Sequence, residues 1–83
     1  MLKEKRIGTT LIVIDSKDDI GRLNAIITEY SHLIVGRQGI PLRHSSQNVI
    51  SLVFEGLESE VGAFSGKLGR LRGIKVKTAL MKR

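Results

Sequence analysis

Apolar and polar positions alternate along this chain in two different rhythms. Arg6 to Asp15 (RIGTTLIVID) is rich in β-branched residues and predicts a strand. Its Leu11–Ile14 run is apolar on both faces, as in the centre of a sheet. Ser16-Lys-Asp-Asp then offers capping side chains and early acidic groups, the signals of a helix start. Ile20, Leu23, Ile27 and Tyr30 recur at helical spacing and predict a first helix of about three turns. Leu33 to Pro41 reads as a second strand, bulged by its glycines and closed by proline. Leu42 to Gln47 is a polar turn, and Asn48 to Glu55 is a third strand, again apolar on both faces. Val61, Phe64, Leu68 and Leu71 carry a second helix over Glu58 to Leu71, ended by Gly73. Ile74, Val76, Thr78 and Leu80 alternate with Lys75, Lys77 and Ala79 in a last strand, whose lysines suit a sheet edge.

The order β-α-β-β-α-β is the split pattern of ferredoxin-like folds. It predicts an α+β domain over residues 1–83, with a four-stranded antiparallel sheet and two helices on one face. The first and third strands, the most apolar pair, take the centre. The helix-free face carries either Ile12, Ile14, Val49 and Val53 or the alternate set. Both sets are too apolar to remain wet, so a homo-oligomer, dimer or tetramer, is expected through that face.

With 83 residues the chain builds one domain with a modest core. It has no cysteine, which removes disulfides, thiolate nucleophiles and cysteine-ligated metals. No apolar run approaches the ~20 residues of a membrane span, and MLKEKRIGTT lacks the form of a secretion signal. A cytoplasmic location without membrane contact is the expectation. The net charge of +6 favours anionic partners: a phosphorylated metabolite, an acidic protein face or nucleic acid. Arg70, Arg72, Lys75 and Lys77 supply the basic surface for a nucleic-acid alternative. Against it, the central strands offer only Phe54 for base stacking, and no helix-turn-helix is present.

The segment EVGAFSGKLGRLRG, Glu60 to Gly73, superficially resembles a phosphate-binding loop. The Walker spacing fails, because three residues separate Gly62 from Gly66 and Leu68 replaces the magnesium-binding hydroxyl. The segment also lies within a helix. On that helix Gly62, Gly66, Gly69 and Gly73 form a stripe beside the apolar one. Interior glycines cost about 1 kcal/mol each relative to alanine. A closely approaching body is therefore expected, and the first helix is the leading candidate. A partner subunit or small ligand, edged by Ser65 and Lys67, is the sharper one. VGRQGIPLR, Val35 to Arg43, resembles the phosphate loop of acylphosphatases, but its place in the second strand commits its amides to the sheet. His32, expected to begin a strand, and His44, expected in a turn, are too few for a metal site within one chain, which leaves only a site shared across subunits as the alternative. No nucleophile–base–acid arrangement is recognisable, so no catalytic residue, metal or cofactor is assigned and an enzyme is not expected.

Two resemblances add to this reading. Asp18-Asp-Ile-Gly21-Arg-Leu23 is similar to the Asp-x-x-Gly-x-Leu helix start of ACT domains, regulatory modules that bind amino acids between paired subunits. That resemblance implies a pocket near Asp18, Gly21, Arg22 and Asn24, while Asp18 as a simple helix cap is the plainer account. Arg37-Gln-Gly39-Ile-Pro41, Gly62-Ala-Phe-Ser-Gly-Lys-Leu-Gly69 and Gly73-Ile-Lys-Val-Lys-Thr78 together resemble the iron-only hydrogenase system regulators. These are short ACT-like proteins related in fold to the ligand-sensing half of the nickel-responsive repressor. The resemblance implies a non-enzymatic regulator or accessory factor linked to iron-only hydrogenase production. Arg37, Gly39, Pro41, Gly62, Ser65, Gly66, Lys67 and Gly69 are then the candidate ligand or interface residues, with Arg37 and Lys67 neutralising an anion.

Overall fold

A computed structural model describes residues 4–81. The elements are β1 (Arg6–Ile14), α1 (Ile20–Glu29), a single 3-10 turn (Ser31–Leu33), β2 (Ile34–Pro41), β3 (Asn48–Gly56), α2 (Glu58–Gly69) and β4 (Ile74–Leu80). They form one antiparallel sheet in the order β2-β3-β1-β4, so the two most apolar strands are central. Leu23 and Ile27 of α1 and Phe64 and Leu68 of α2 bury against Ile12, Ile14, Ile50 and Leu52. Both helices therefore cover the same face. The expected α+β, ferredoxin-like architecture is the observed one.

Face assignment follows from register. Ile12 pairs with Ile50 and Val13 with Val49, and antiparallel partners share a side. The set Ile12, Ile14, Val49 and Val53 therefore mixes two faces. Ile12 and Ile14 are buried beneath the helices, whereas the helix-free face carries Ile7, Thr9, Leu11 and Val13 with Val49, Ser51 and Val53. Because both central strands are apolar on both sides, alternation alone could not choose between these sets.

The first helix starts at Ile20 rather than Ser16 because the preceding residues are engaged elsewhere. The backbone N–H groups of Asp15 and Ser16 both donate to the Gly73 carbonyl. This ties the β1–α1 loop to the turn before β4. Gly73 lies at φ +73°, and a β-carbon there would fall 2.0 Å from Ser16 Oγ. Glycine is required on both counts. Gly8 is needed for space: its missing β-carbon would meet the Ala79 carbonyl oxygen at 2.5 Å and Phe54 at 2.7 Å. The expected bulge in β2 falls between Ile34 and Gly36. His32 lies in the 3-10 turn just before β2, and His44 lies in the β2–β3 turn. Among the described residues, no helix is long and apolar enough to cross a membrane.

Candidate functional site

The glycine face of α2 is the first candidate. Val61, Phe64 and Leu68 turn into the core, which leaves Gly62, Gly66 and Gly69 on the exposed side. A β-carbon added at any of the three would meet nothing within 4 Å. The expectation that α1 presses into this stripe is therefore overturned. α1 packs on the flank of α2, through Tyr30 against Phe64 with ring centroids 5.1 Å apart. The reason lies in angle: at 100° per residue the glycines point away from the apolar stripe, not beside it toward α1. Among the described residues, nothing packs against these three glycines.

Lys67 and Ser65 border that face, and both have partners. The Lys67 ammonium donates to Glu29 Oε2 at 2.9 Å and lies 5.1 Å from the Tyr30 ring centroid. The Glu29 hydrogen bond, followed by one to Tyr30, raises the Lys67 pKa above its ordinary value. An incoming anion must therefore share this cation with Glu29. On the other flank Ser65 Oγ is 2.8 Å from Thr78 Oγ1, which is 2.9 Å from the fully buried Thr10 Oγ1. This hydroxyl chain runs from the core to the surface and fastens α2 to β4.

Arg37, Gly39 and Pro41 lie on β2, an edge strand, and are exposed. Arg37 and Gly39 share the helix side with their partners Leu52 and Ile50. α2 packs along β4 at the opposite edge, so the structure does not unite Arg37 with Lys67 in one site.

At the start of α1 the acidic residue that matters is Asp19, not Asp18. Asp18 is exposed and caps nothing, while Asp19 occupies the N-cap position and is buried. Its carboxylate makes no capping bond. Oδ2 instead accepts the Arg72 backbone N–H at 2.7 Å, and the Arg22 and Arg72 guanidinium groups each approach it to 4.0 Å. Gly21 and Asn24 are exposed, and a β-carbon at Gly21 would meet open space. The four residues implied by the ACT resemblance therefore sit together on an open helix start. Sequence reasoning missed Asp19, although it stands four residues before Leu23 and eight before Ile27, on the buried face. It also missed Glu29 as the partner of Lys67, a pairing across two helices that no local spacing announces.

The remaining charged groups are dispersed. His32 Nε2 lies 3.5 Å from Glu60 Oε2, and Glu60 Oε1 accepts the Leu57 N–H at the start of α2. Among the described residues, no group of three His, Cys, Asp or Glu side chains could hold a metal ion. The basic surface is divided: Arg72 pairs with Asp19 and Lys75 with Asp15 at 3.6 Å. Lys75 and Lys77 stand on the helix-free face, beside Val13 and Leu11, while Arg70 and Arg72 belong to the α2–β4 turn.

Comparison with known proteins agrees with this architecture. The family model TM1266-like, described as "Iron-only hydrogenase system regulator, putative", matches residues 6–78. Among solved structures, the chain is similar to one described as the uncharacterized protein TM1266 from Thermotoga maritima. The identity is 35%, with 95% of this chain and 100% of that chain covered and a TM-score of 0.87. No curated protein matches the chain significantly.

Proposed function

The chain belongs to the TM1266-like family, and we propose that it is a cytoplasmic, non-enzymatic regulator or accessory factor of an iron-only hydrogenase system. It works by recognition, as an oligomer that binds a small anionic ligand or a protein partner. The observation that carries this reading is the family match over nearly the whole described chain. The side-chain chemistry supports it. Lys67, Ser65 and Asp19, the polar groups nearest the candidate surfaces, are joined to Glu29, Thr78 and Arg72 in structural pairs. None is set beside a base that would activate a nucleophile.

The α2 surface suits recognition by close approach. Gly62, Gly66 and Gly69 leave the helix backbone bare, with Ser65 on one flank and Lys67 on the other. A bound carboxylate or phosphate would reach the Lys67 ammonium by competing with Glu29.

The test is made in a host that produces an iron-only hydrogenase and carries this gene. Deletion should change hydrogenase abundance or activity, and the wild-type chain should restore it. Unchanged hydrogenase under all growth conditions that induce the enzyme would reject the proposal. Purified protein incubated with host metabolite extract and examined by native mass spectrometry should retain a small anion, and Lys67→Ala should retain less.

A further inference from the structure

The helix-free face of the sheet concentrates the exposed apolar surface of the molecule. Ile7 is 47% exposed, Leu11 46%, Val53 42% and Ile40 41%, and register places all four on this one side. Met81 is 65% exposed and joins them, because its N–H donates to the Ile7 carbonyl at the end of β4. A depression of about 220 Å³ between Ile7, Val53, Ala79 and Met81 is almost wholly apolar. Monomeric proteins seldom leave such a contiguous patch uncovered.

The geometry points to a second copy of this chain as the occupant, packed sheet to sheet across a two-fold axis that runs along the strands. Area and charge placement carry this choice. Four strands spaced ~4.8 Å apart, about eight residues long at ~3.4 Å each, present roughly 500 Å² per copy. A pair then buries about 1,000 Å², the lower bound for a specific interface. A helix-free, four-stranded face is the kind of surface that two packed sheets share.

Charge selects the orientation. Beyond a shorter row, Met81–Ile7–Glu55, three rows cross all four strands of this face: Lys75–Val13–Val49–Ile40, Lys77–Leu11–Ser51–Gln38, and Ala79–Thr9–Val53–Gly36. Each begins on β4 and ends on β2, so both lysines lie at one edge. A two-fold axis across the strands would stack β4 on β4 and gather four lysines. An axis along the strands lays β4 of one copy over β2 of the other, which keeps the lysines apart. Lys77 then faces the partner's Gln38, and the central Val13, Val49, Thr9 and Val53 interleave. This arrangement leaves the α2 face and the start of α1 free.

The test is the mass in solution by light scattering and sedimentation, over protein concentrations from about 1 to 100 µM. The wild type is expected as a dimer or a dimer of dimers. Leu11→Glu with Val53→Glu places charges at two exposed positions, so the fold should persist by circular dichroism while the mass halves. A wild-type monomer at the highest concentration, an odd-numbered assembly, or a folded double variant of unchanged mass overturns the assignment. Gln38→Glu then tests the orientation. The new carboxylate meets Lys77 in the stated arrangement and should tighten association several-fold at low salt. Unchanged or weaker association overturns that orientation. A monomer would also remove the oligomer from the proposed function, but none of these readouts depends on hydrogenase, so the regulatory role and this interface fail separately.

Discussion

Asp19 Oδ2 accepts the backbone N–H of Arg72 at 2.7 Å, joining the start of α1 to the turn between α2 and β4. Asp15, Ser16 and Gly73 reinforce the same junction through the backbone. Two segments more than fifty residues apart thus close one end of the sandwich. The carboxylate is buried, and its acceptor bond is charge-assisted. Asp19→Ala leaves the Arg72 N–H without its acceptor, a loss of about 1.5–3 kcal/mol for a hydrogen bond to a charged group. The melting midpoint should fall by roughly 10 °C, taking ~4–8 °C per kcal/mol for a domain of this size. Asp18→Ala, at an exposed neighbour without such a bond, should change it little. Thermal unfolding of the two variants side by side makes the comparison.

Lys67 gives a pH-dependent prediction whose sign is fixed. Its pKa is raised in the folded protein, chiefly by the hydrogen bond to Glu29. The charged form is therefore favoured by folding. Its contribution is fully present below the unfolded lysine value of about 10.4 and is lost as pH rises through the higher folded value. Wild type and Lys67→Gln should differ by a constant amount in urea unfolding between pH 6 and 9. That difference should disappear in strong alkali. A difference that grows with pH would show that Lys67 acts through another group.

The legibility of the fold and that of the site differ for a physical reason. Strand order could be reasoned from Leu11–Ile14 and Asn48–Glu55, because a strand apolar on both faces belongs at the centre of a sheet. The same feature hid the parity of the open face, since neither alternate set was polar. Helix ends were displaced where tertiary bonds intervened: Ser16 is held by Gly73, so α1 waits until Ile20. The glycine stripe of α2 was visible in the spacing, and its angle, well round the helix from Val61, Phe64 and Leu68, already turns it away from the core. Tyr30 on Phe64 and Glu29 on Lys67 show where α1 packs instead. Partnerships such as Lys67–Glu29 join positions far apart in the chain and leave no periodic trace.

The basic surface predicts weak, salt-sensitive contact with nucleic acid. Arg72 and Lys75 already have carboxylate partners, and the basic groups divide between a turn and the open sheet face. Binding to random duplex DNA should therefore fall in the non-specific range of about 10⁻⁴–10⁻⁶ M at physiological salt, and should vanish as salt rises. Fluorescence anisotropy at several salt concentrations measures this. Sequence-selective binding that survives about 0.3 M salt would favour a direct nucleic-acid role.

The glycines give the most decisive comparison, because the same substitution should have opposite signs at different positions. At Gly62, Gly66 and Gly69 a β-carbon enters open space on an exposed helix face. Alanine there gains up to about 1 kcal/mol each through helix propensity, with no clash to offset it. At Gly8 the added carbon meets the Ala79 carbonyl oxygen, Phe54 and Leu80 at under 3.0 Å, in a part of the sheet that cannot withdraw. At Gly73 it meets Ser16, and the φ of +73° adds backbone strain of roughly 1–3 kcal/mol. Denaturant unfolding at low protein concentration should therefore rank Gly66→Ala above wild type, and Gly8→Ala and Gly73→Ala well below it. Destabilisation by Gly66→Ala would mean that the α2 face is already occupied in solution. Stabilisation combined with loss of regulation in cells would mean that this bare backbone is kept for a partner and not for the fold.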